Sequence, residues 1–498
     1  MRRAEGSKHS VPQLFEEVAD TPFVRLHLVP GHRSESVRIS DVLSALSFAL
    51  DLSDGQPAGH ALRTCLIGME LARRLDLGVQ ERRDLYYALM LKDVGCSSTS
   101  ARVFELFGGD ERLTQHRLKR VDWGSYFKAA RAHLASSAPG LTWVQRMFRV
   151  ASLTGRAASL ATELVETRAQ RGMEIVRELG FGPDVAQAVG SIDEHWDGSG
   201  HPRGRRSGEI PLDSRIIALA QVLEVYATVH GPRRALDVAR QRRHRWFDPV
   251  LVAAADGLEP QLTHWCGLDR EALKAEAREC EPGDAALLVG PGALDCIARG
   301  FAIVVDAKSP YTAQHSSRVS DLSLRIGAGL GFNDVELGEL RRAALLHDIG
   351  KLSVPNSILD KPGPLTPEEW EAVRLHPFYT QRILEHIRGC ERLAQVAAFH
   401  HERLDGRGYF HGLHGDQIPL ASQVLATADI YDALTAVRPY RPALPEEVAL
   451  RLMEQDRGRG LRDDCLDALL EVLGVGVGAG AVAGVSAAAI PAQTRSVA

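Results

Sequence analysis

Apolar residues along this chain recur mainly at intervals of three and four positions. Two of the clearest runs are Val319, Leu322, Ile326, Leu330 and Leu337, Leu340, Ala344, Leu345. That spacing places the apolar side chains on one face of an α-helix, and no segment alternates apolar and polar residues as a half-buried strand does. Helix starts are expected at Ser309 and at Thr366, because each is a capping residue followed by proline. We therefore predict an all-α protein built from helical bundles.

The chain carries one pattern twice. The sequence AALLHDIGK (residues 343–351) resembles ALMLKDVGC (88–96), and His315 aligns with His60 at the same offset of 255 residues. Further on, HERLDGRGYF (401–410) resembles DEHWDGSGHP (193–202) at an offset of 208. The difference, 255 − 208 = 47 residues, means that the first copy contains extra sequence, most simply between Ser97 and Val165. A whole domain is duplicated, and we call the copies the first and the second repeat.

Composition limits the classes of function. At roughly 100–200 residues per domain, the 498 residues favour two to four domains, and the 45% hydrophobic and 25% charged fractions are those of ordinary globular protein. A net charge of −5 gives no overall basic field, which argues against a nucleic-acid polymer as partner. The seven cysteines show no CxxC spacing, so we interpret them as reduced thiols of a cytoplasmic protein. We expect neither a membrane span nor secretion, since long apolar runs are lacking.

Residues suited to binding metals and phosphate cluster in the second repeat. His347 and Asp348 are adjacent on a predicted helix, about 100° apart, and can converge on one ion. Lys351 lies one turn later on the same face, where its ammonium group can hold a phosphate oxygen. Imidazoles combined with carboxylates suit iron, manganese or zinc better than calcium or magnesium. The further candidate ligands in this repeat are His315, His376, His400, His401 and Asp429.

The order of these motifs is more specific than any one of them. A single histidine on a helix is usually an ordinary hydrogen-bonded residue, whereas the series H…HDIGK…HP…HHE–LDG–GY…DIYDALT–RPYR spans most of residues 291–474. This series resembles the HD-GYP branch of the HD metal-dependent phosphohydrolases. Members of that branch are all-α and hydrolyse cyclic di-GMP at a centre of two or three metals. The resemblance therefore implies a cyclic di-GMP phosphodiesterase.

The resemblance also implies roles for individual residues. It assigns one metal to His315, His347, Asp348 and Asp429, and a second to His376, His400 and His401, with Asp348 bridging the two. Lys351 and Asp348 are implied to be catalytic, and Arg438 and Arg441 to contact the phosphate.

Two positions depart from the pattern of the family. Tyr311 stands where members with three metals have glutamate, so we expect two divalent transition metals, iron or manganese. Phe410 replaces the proline of the Gly-Tyr-Pro tripeptide, which removes the restriction that proline places on φ in this loop.

The first repeat has lost most of this set. His60 and Asp93 are kept, but the other five ligand positions are occupied by Lys92, Arg168, Ile192, Asp193 and Gln221. One histidine and one aspartate cannot hold a binuclear centre by the same scheme. We predict a degenerate domain with a regulatory or structural role, and we hypothesise that ion pairs of Lys92 with Asp93 and of Arg168 with Asp193 replace the lost metals.

We divide the chain into an N-terminal extension (1–38), a degenerate HD-type domain (39–258), a linker (259–291), an HD-GYP-like catalytic domain (292–474) and a disordered Gly/Ala-rich tail (475–498). Two alternatives stay open: hydrolysis of another nucleotide or phosphoester, and a nucleotide sensor or scaffold without turnover. The intact ligand set with Lys351 favours an enzyme over a sensor. Contact with diguanylate cyclase proteins is implied by the resemblance, and paired bundles are compatible with a homodimer.

Overall fold

A computed structural model describes residues 38–107, 111–112, 157–283, 291–387 and 389–475. These residues form helices, turns and isolated bridges without a β-strand, so the all-α prediction is confirmed. None of the helices in these ranges is long and apolar enough to cross a bilayer. The predicted N-terminal extension and Gly/Ala-rich tail lie outside the described residues, apart from Arg38 and Val475. The domain boundaries stay a prediction.

The first repeat is a bundle that includes residues 259–283 of the segment predicted as a linker. Its helices are α1 (Ile39–Ser53), α2 (His60–Arg74), α3 (Val79–Leu91), α4 (Ser97–Phe107), α5 (Ala157–Glu178), α6 (Pro183–Gly190), α7 (Leu212–His230), α8 (Pro232–Gln241) and α9 (Pro249–Ala254). They are followed by α10 (Glu259–Gly267) and α11 (Arg270–Cys280), which both pack against α2. Leu273 of α11 is fully buried, so this part of the predicted linker is held against the first repeat.

The second repeat repeats the bundle. It contains α12 (Pro291–Asp306), α13 (His315–Gly329), α14 (Asp334–Leu346), α15 (Asn356–Leu359), α16 (Pro367–Arg374), α17 (His376–Leu384), α18 (Glu391–Ala398), α19 (Leu420–Thr435), α20 (Glu446–Gln455) and α21 (Asp463–Leu473). Thr366 caps α16 as predicted, accepting a hydrogen bond from the backbone N–H of Glu369. The predicted start at Ser309 is wrong: its hydroxyl bonds to Asp360, 2.5 Å away, and the chain turns there before α13 begins.

The two repeats pack through their first helices. Helix α1 of the first repeat contacts α17 and the short 3₁₀ helix Ile349–Ser353 of the second, while α12 of the second contacts α5 of the first. Buried apolar residues of both repeats form one continuous core. We call Ile349–Ser353 the catalytic turn, because it carries Lys351, the lysine that the sequence predicts to be catalytic.

Two glycines allow a close approach that positions the site. A Cβ atom on Gly350 would lie 2.0 Å from the carbonyl oxygen of His376, and one on Gly95 would lie 2.2 Å from that of Arg168. The catalytic turn therefore rests directly on the first residue of α17. The first repeat keeps this contact although it has lost the histidine.

Candidate metal centre

Helix ends supply six of the seven predicted ligands, including Asp348, which directly follows His347. His315 and His376 begin α13 and α17, and His347 directly follows α14. His400 and His401 end the short 3₁₀ helix Phe399–His401 that follows α18, and Asp429 lies within α19. All are buried except His401, which is partly exposed toward a neighbouring cleft.

Asp348 lies at the centre of the cluster. Its Oδ2 atom is 3.5 Å from Nε2 of His315 and 3.4 Å from Nε2 of His347. Its Oδ1 atom is 3.4 Å from Nε2 of His376 and 3.9 Å from Nε2 of His400. One carboxylate therefore faces two groups of potential ligands, which are His315, His347, Asp429 and His376, His400, His401.

Local hydrogen bonds orient the imidazoles. The Nδ1 atoms of His347, His376 and His400 each contact the carbonyl oxygen three residues earlier, at 2.6–2.7 Å. In His315, Nδ1 contacts Oδ2 of Asp432 at 2.7 Å. The Nε2 atoms are thereby turned toward Asp348. Fixing one ring nitrogen in this way is typical of histidines that bind metals through the other.

The residues fit divalent metals. Among the described residues, Nε2 of His315, Nε2 of His347 and Oδ1 of Asp348 are buried without a hydrogen-bond partner. A buried polar atom left unpaired costs about 1–3 kcal/mol, and here three such atoms converge on one place. Cations between the two groups would satisfy them, and imidazole with carboxylate is a donor set of transition metals.

The electrostatics of the histidines differ between the two groups of the cluster. Burial alone would lower the pKa of His315, but its contacts with Asp348, Asp429 and Asp432 outweigh burial and raise the pKa to about 10. Burial lowers the pKa of His401 to about 4 and those of His376 and His400 well below the usual value. The group of His376, His400 and His401 is therefore uncharged at neutral pH, so its ring nitrogens can bind a cation.

A cleft leads to the cluster and supplies the remaining chemistry. Cations and aromatic rings line it, among them Lys308, Lys351, Lys361, Arg438, Tyr311, Trp370, Tyr409 and Tyr440. The ammonium group of Lys351 is 2.6 Å from Oδ2 of Asp348. Arg441 does not line the cleft: its guanidinium donates to the carbonyls of Ala433 and Leu434 at the end of α19.

Sequence reasoning missed two residues that support the ligands. Asp432 accepts hydrogen bonds from both His315 and Arg318, the latter with N–O distances of 2.6 and 2.9 Å. Asp432 lies three residues after the predicted ligand Asp429, and Arg318 lies three residues after His315. Each therefore lies on the same helix face as a predicted ligand. That spacing is the signal that could have identified them.

The first repeat keeps the supporting interactions but replaces five of the seven ligands. At the same offsets, Glu224 takes the place of Asp432 and contacts Nδ1 of His60, while Arg63 donates to Glu224 at 2.7 Å. The ammonium group of Lys92 is buried between His60, 3.0 Å away, and Asp93. The hypothesised ion pairs of Lys92 with Asp93 and of Arg168 with Asp193 are both present.

A helical bundle that buries histidines and aspartates in one cluster, at the end of a cleft lined by cations, is the arrangement of an HD-type metal-dependent phosphohydrolase. The family model described as HD domain matches residues 127–251 and 301–464, more than half of the chain, and the chain belongs to this family. The resemblance seen in the sequence is thereby confirmed.

Two relatives match most of the chain, and a third matches about a third of it. The 3′3′-cGAMP-specific phosphodiesterase 3 of Vibrio cholerae is 41% identical over 87% of this chain and 94% of its own length. A crystal structure of a cyclic GMP-AMP-specific phosphodiesterase of V. cholerae, V-cGAP3, superposes with a TM-score of 0.61 at 37% identity, covering 88% of this chain and 98% of that one. A cyclic di-GMP phosphodiesterase of Thermotoga maritima is 40% identical over 32% of this chain and 44% of its own length.

Proposed function

We propose that this protein hydrolyses a phosphodiester bond of 3′3′-cyclic dinucleotides at the cluster of the second repeat, with 3′3′-cGAMP as its substrate. The buried His/Asp cluster at the end of a cationic and aromatic cleft carries the proposal, because a cyclic dinucleotide presents two phosphodiesters and two bases that stack on aromatic rings. The choice of 3′3′-cGAMP is supported by the relative that matches both repeats.

Cyclic di-GMP is the second candidate, as the sequence motifs imply. It is supported by the relative from T. maritima, which matches a length similar to that of one repeat. The two dinucleotides share the ribose-phosphate ring and differ in one base. The same cluster would therefore cleave both dinucleotides, and the residues that line the cleft would determine which of them binds more tightly.

We propose that two divalent transition metals, iron or manganese, bind to the cluster. His315, His347 and Asp429 would hold one and His376, His400 and His401 the other, with Asp348 shared. Bound metals would supply Lewis acidity and an activated water for attack on phosphorus. Lys351 lies beside Asp348 at the edge of the cleft, where its ammonium group would neutralise charge on the phosphodiester. Contact with cyclase proteins and a homodimer stay predictions.

The decisive experiment is hydrolysis by the purified chain, loaded anaerobically with Mn²⁺ or Fe²⁺, of 3′3′-cGAMP and cyclic di-GMP in parallel. We expect turnover of both, with the larger kcat/KM for 3′3′-cGAMP, and loss of turnover after chelation. A larger kcat/KM for cyclic di-GMP would reverse the choice of substrate. Bound metal without turnover of either would support another phosphoester or a sensor.

Arg438 and Arg441 should behave differently, although the motif pairs them. Arg438→Ala is expected to raise KM about tenfold with kcat less affected, because a charge-assisted contact to phosphate contributes about 1.5–3 kcal/mol. Arg441→Ala should leave KM unchanged and lower the unfolding temperature, since its guanidinium donates to helix carbonyls. Steady-state kinetics and thermal unfolding of both variants test this difference. Equal effects on KM would show that Arg441 reaches the substrate.

Metal affinity should rise with pH between 6 and 9. His315 carries a proton in this range in the metal-free protein, because its pKa is about 10, and a cation at Nε2 must displace that proton. The affinity of this group should increase by up to about tenfold per pH unit, the limit for release of one proton. Titration calorimetry with Mn²⁺ at several pH values tests the slope. A flat profile would mean that His315 is already neutral.

A further inference from the structure

The first repeat contacts the catalytic turn directly. Helix α1 packs on this turn, Ile349–Ser353, and on α17, whose first residue is His376. The turn follows Asp348 and carries Lys351, so its placement sets where the ammonium group of Lys351 stands. A contact that fixes the turn therefore also fixes the position of the Lys351 ammonium group.

Two charged residues after α4 extend this contact. Glu111 is fully buried, and its carboxylate accepts a hydrogen bond from the backbone N–H of Asn356, with both oxygens 3.0–3.1 Å from that nitrogen. The same carboxylate lies 3.5 Å from the ammonium group of Lys308. Arg112 donates from Nη1 to the carbonyl oxygen of Ser353, 2.6 Å away. Both residues thus reach from the first repeat into the second.

Lys308 joins Glu111 to the catalytic turn. Its buried ammonium group donates to the carbonyl oxygen of Leu352 at 3.1 Å, and its own carbonyl accepts from Nδ2 of Asn356 at 2.6 Å. The last two carbonyls of the turn, at Leu352 and Ser353, are therefore both held by cations. One cation belongs to the first repeat, and the other is paired with a carboxylate of the first repeat.

We propose that Glu111 and Arg112 are positioning residues for hydrolysis, holding the catalytic turn so that Lys351 faces the scissile phosphate. Removing the charge of Glu111 would leave the Lys308 ammonium group buried without this counter-ion, which is costly, and the turn would shift. Helix α4, which precedes Glu111 in the chain, packs on α12 and α15 and lines a cavity of the first repeat through Thr99 and Val103. The contacts of α4 and Glu111 thereby connect the degenerate repeat to the catalytic turn.

This inference rests on the proposed function in one respect, the hydrolysis of a phosphodiester. Its test uses a substrate that has no base for the protein to recognise. Hydrolysis of bis(p-nitrophenyl) phosphate by the full-length Mn²⁺-loaded chain reports on the site even if neither dinucleotide is cleaved. Glu111→Gln keeps the shape of the side chain and removes its charge. Glu105→Gln makes the same change at an exposed position of α4 and serves as the matched control.

Glu111→Gln should lower kcat about tenfold, since a misplacement of about 1 Å can cost up to a hundredfold. KM should change less than twofold, metal content should be unchanged, and Glu111→Asp should recover most of kcat. Assays are run well below the unfolding temperature of each variant. A wild-type kcat for Glu111→Gln would overturn the proposal.

The double variant separates positioning from general destabilisation. In a Lys351→Ala background, Glu111→Gln should lower kcat little further, because the residue acts through Lys351. The same tenfold loss in that background would show that Glu111 supports the fold and does not position Lys351, and would equally overturn the proposal. Arg112→Gln is expected to give the same pattern with a smaller loss.

Discussion

Asp348→Asn will lower kcat for phosphodiester hydrolysis by at least about a thousandfold and will reduce the metal bound per chain. An oxygen of Asp348 lies within 3.9 Å of each of the four buried histidines around it, and we propose that this carboxylate is shared by the two metals. An amide of the same shape has one oxygen and no charge. It cannot bridge two cations, so the change removes metal without creating a cavity.

The matched control is Asp93→Asn in the first repeat. Asp93 occupies the same place in the duplicated pattern but contacts Lys92, so its substitution should lower the unfolding temperature while kcat and the metal bound per folded chain stay near the wild-type values. Metal content is measured by elemental analysis alongside kinetics. Equal losses in both variants would show that the first repeat takes part in metal binding, whereas full activity of Asp348→Asn would place the reaction elsewhere.

The sequence motifs could indicate the ligands because three of the histidines are oriented by residues close to them in the chain, whereas His315 is oriented by the distant Asp432. His347, His376 and His400 each use Nδ1 to contact a carbonyl three residues back, and His315 begins a helix. A short motif therefore carries most of the geometry. Thr366 illustrates the same point for the fold, since its capping interaction lies within four residues.

Features that depend on packing between distant segments were not predictable in this way. The contact of Glu111 with Lys308 joins residues of different repeats, and nothing local to either marks it. Ser309 has a good helix-start signal, but Asp360, far along the chain, engages its hydroxyl in a turn. The exchange of Asp432 for Glu224 is an intermediate case. This exchange could be read from the sequence, because Glu224 and Asp432 are separated by the offset of 208 residues that relates the two repeats there.

Lys92→Met will destabilise the protein by about 3–5 kcal/mol, because removing one partner of a buried ion pair leaves the other charge uncompensated. The side chain of Lys92 is fully buried and contacts both Asp93 and His60. Methionine keeps much of the volume, so the loss reports on charge more than on packing. Urea unfolding followed by circular dichroism measures the change. A loss below about 1 kcal/mol would mean that this pair contributes no more than a surface pair.

Two further variants show whether the ion pair is what replaces the metal. Arg73→Met breaks an exposed pair with Glu70 on α2 and should cost less than about 1 kcal/mol. Lys92→Met combined with Asp93→Asn removes both buried charges and should recover a large part of the stability lost in Lys92→Met, since an uncharged pair needs no counter-ion. Recovery would mean that the first repeat requires charge balance between its helices. In the second repeat, cations bound at the His/Asp cluster would supply that balance. An unrecovered double variant would instead assign the role of Lys92 to its contact with His60.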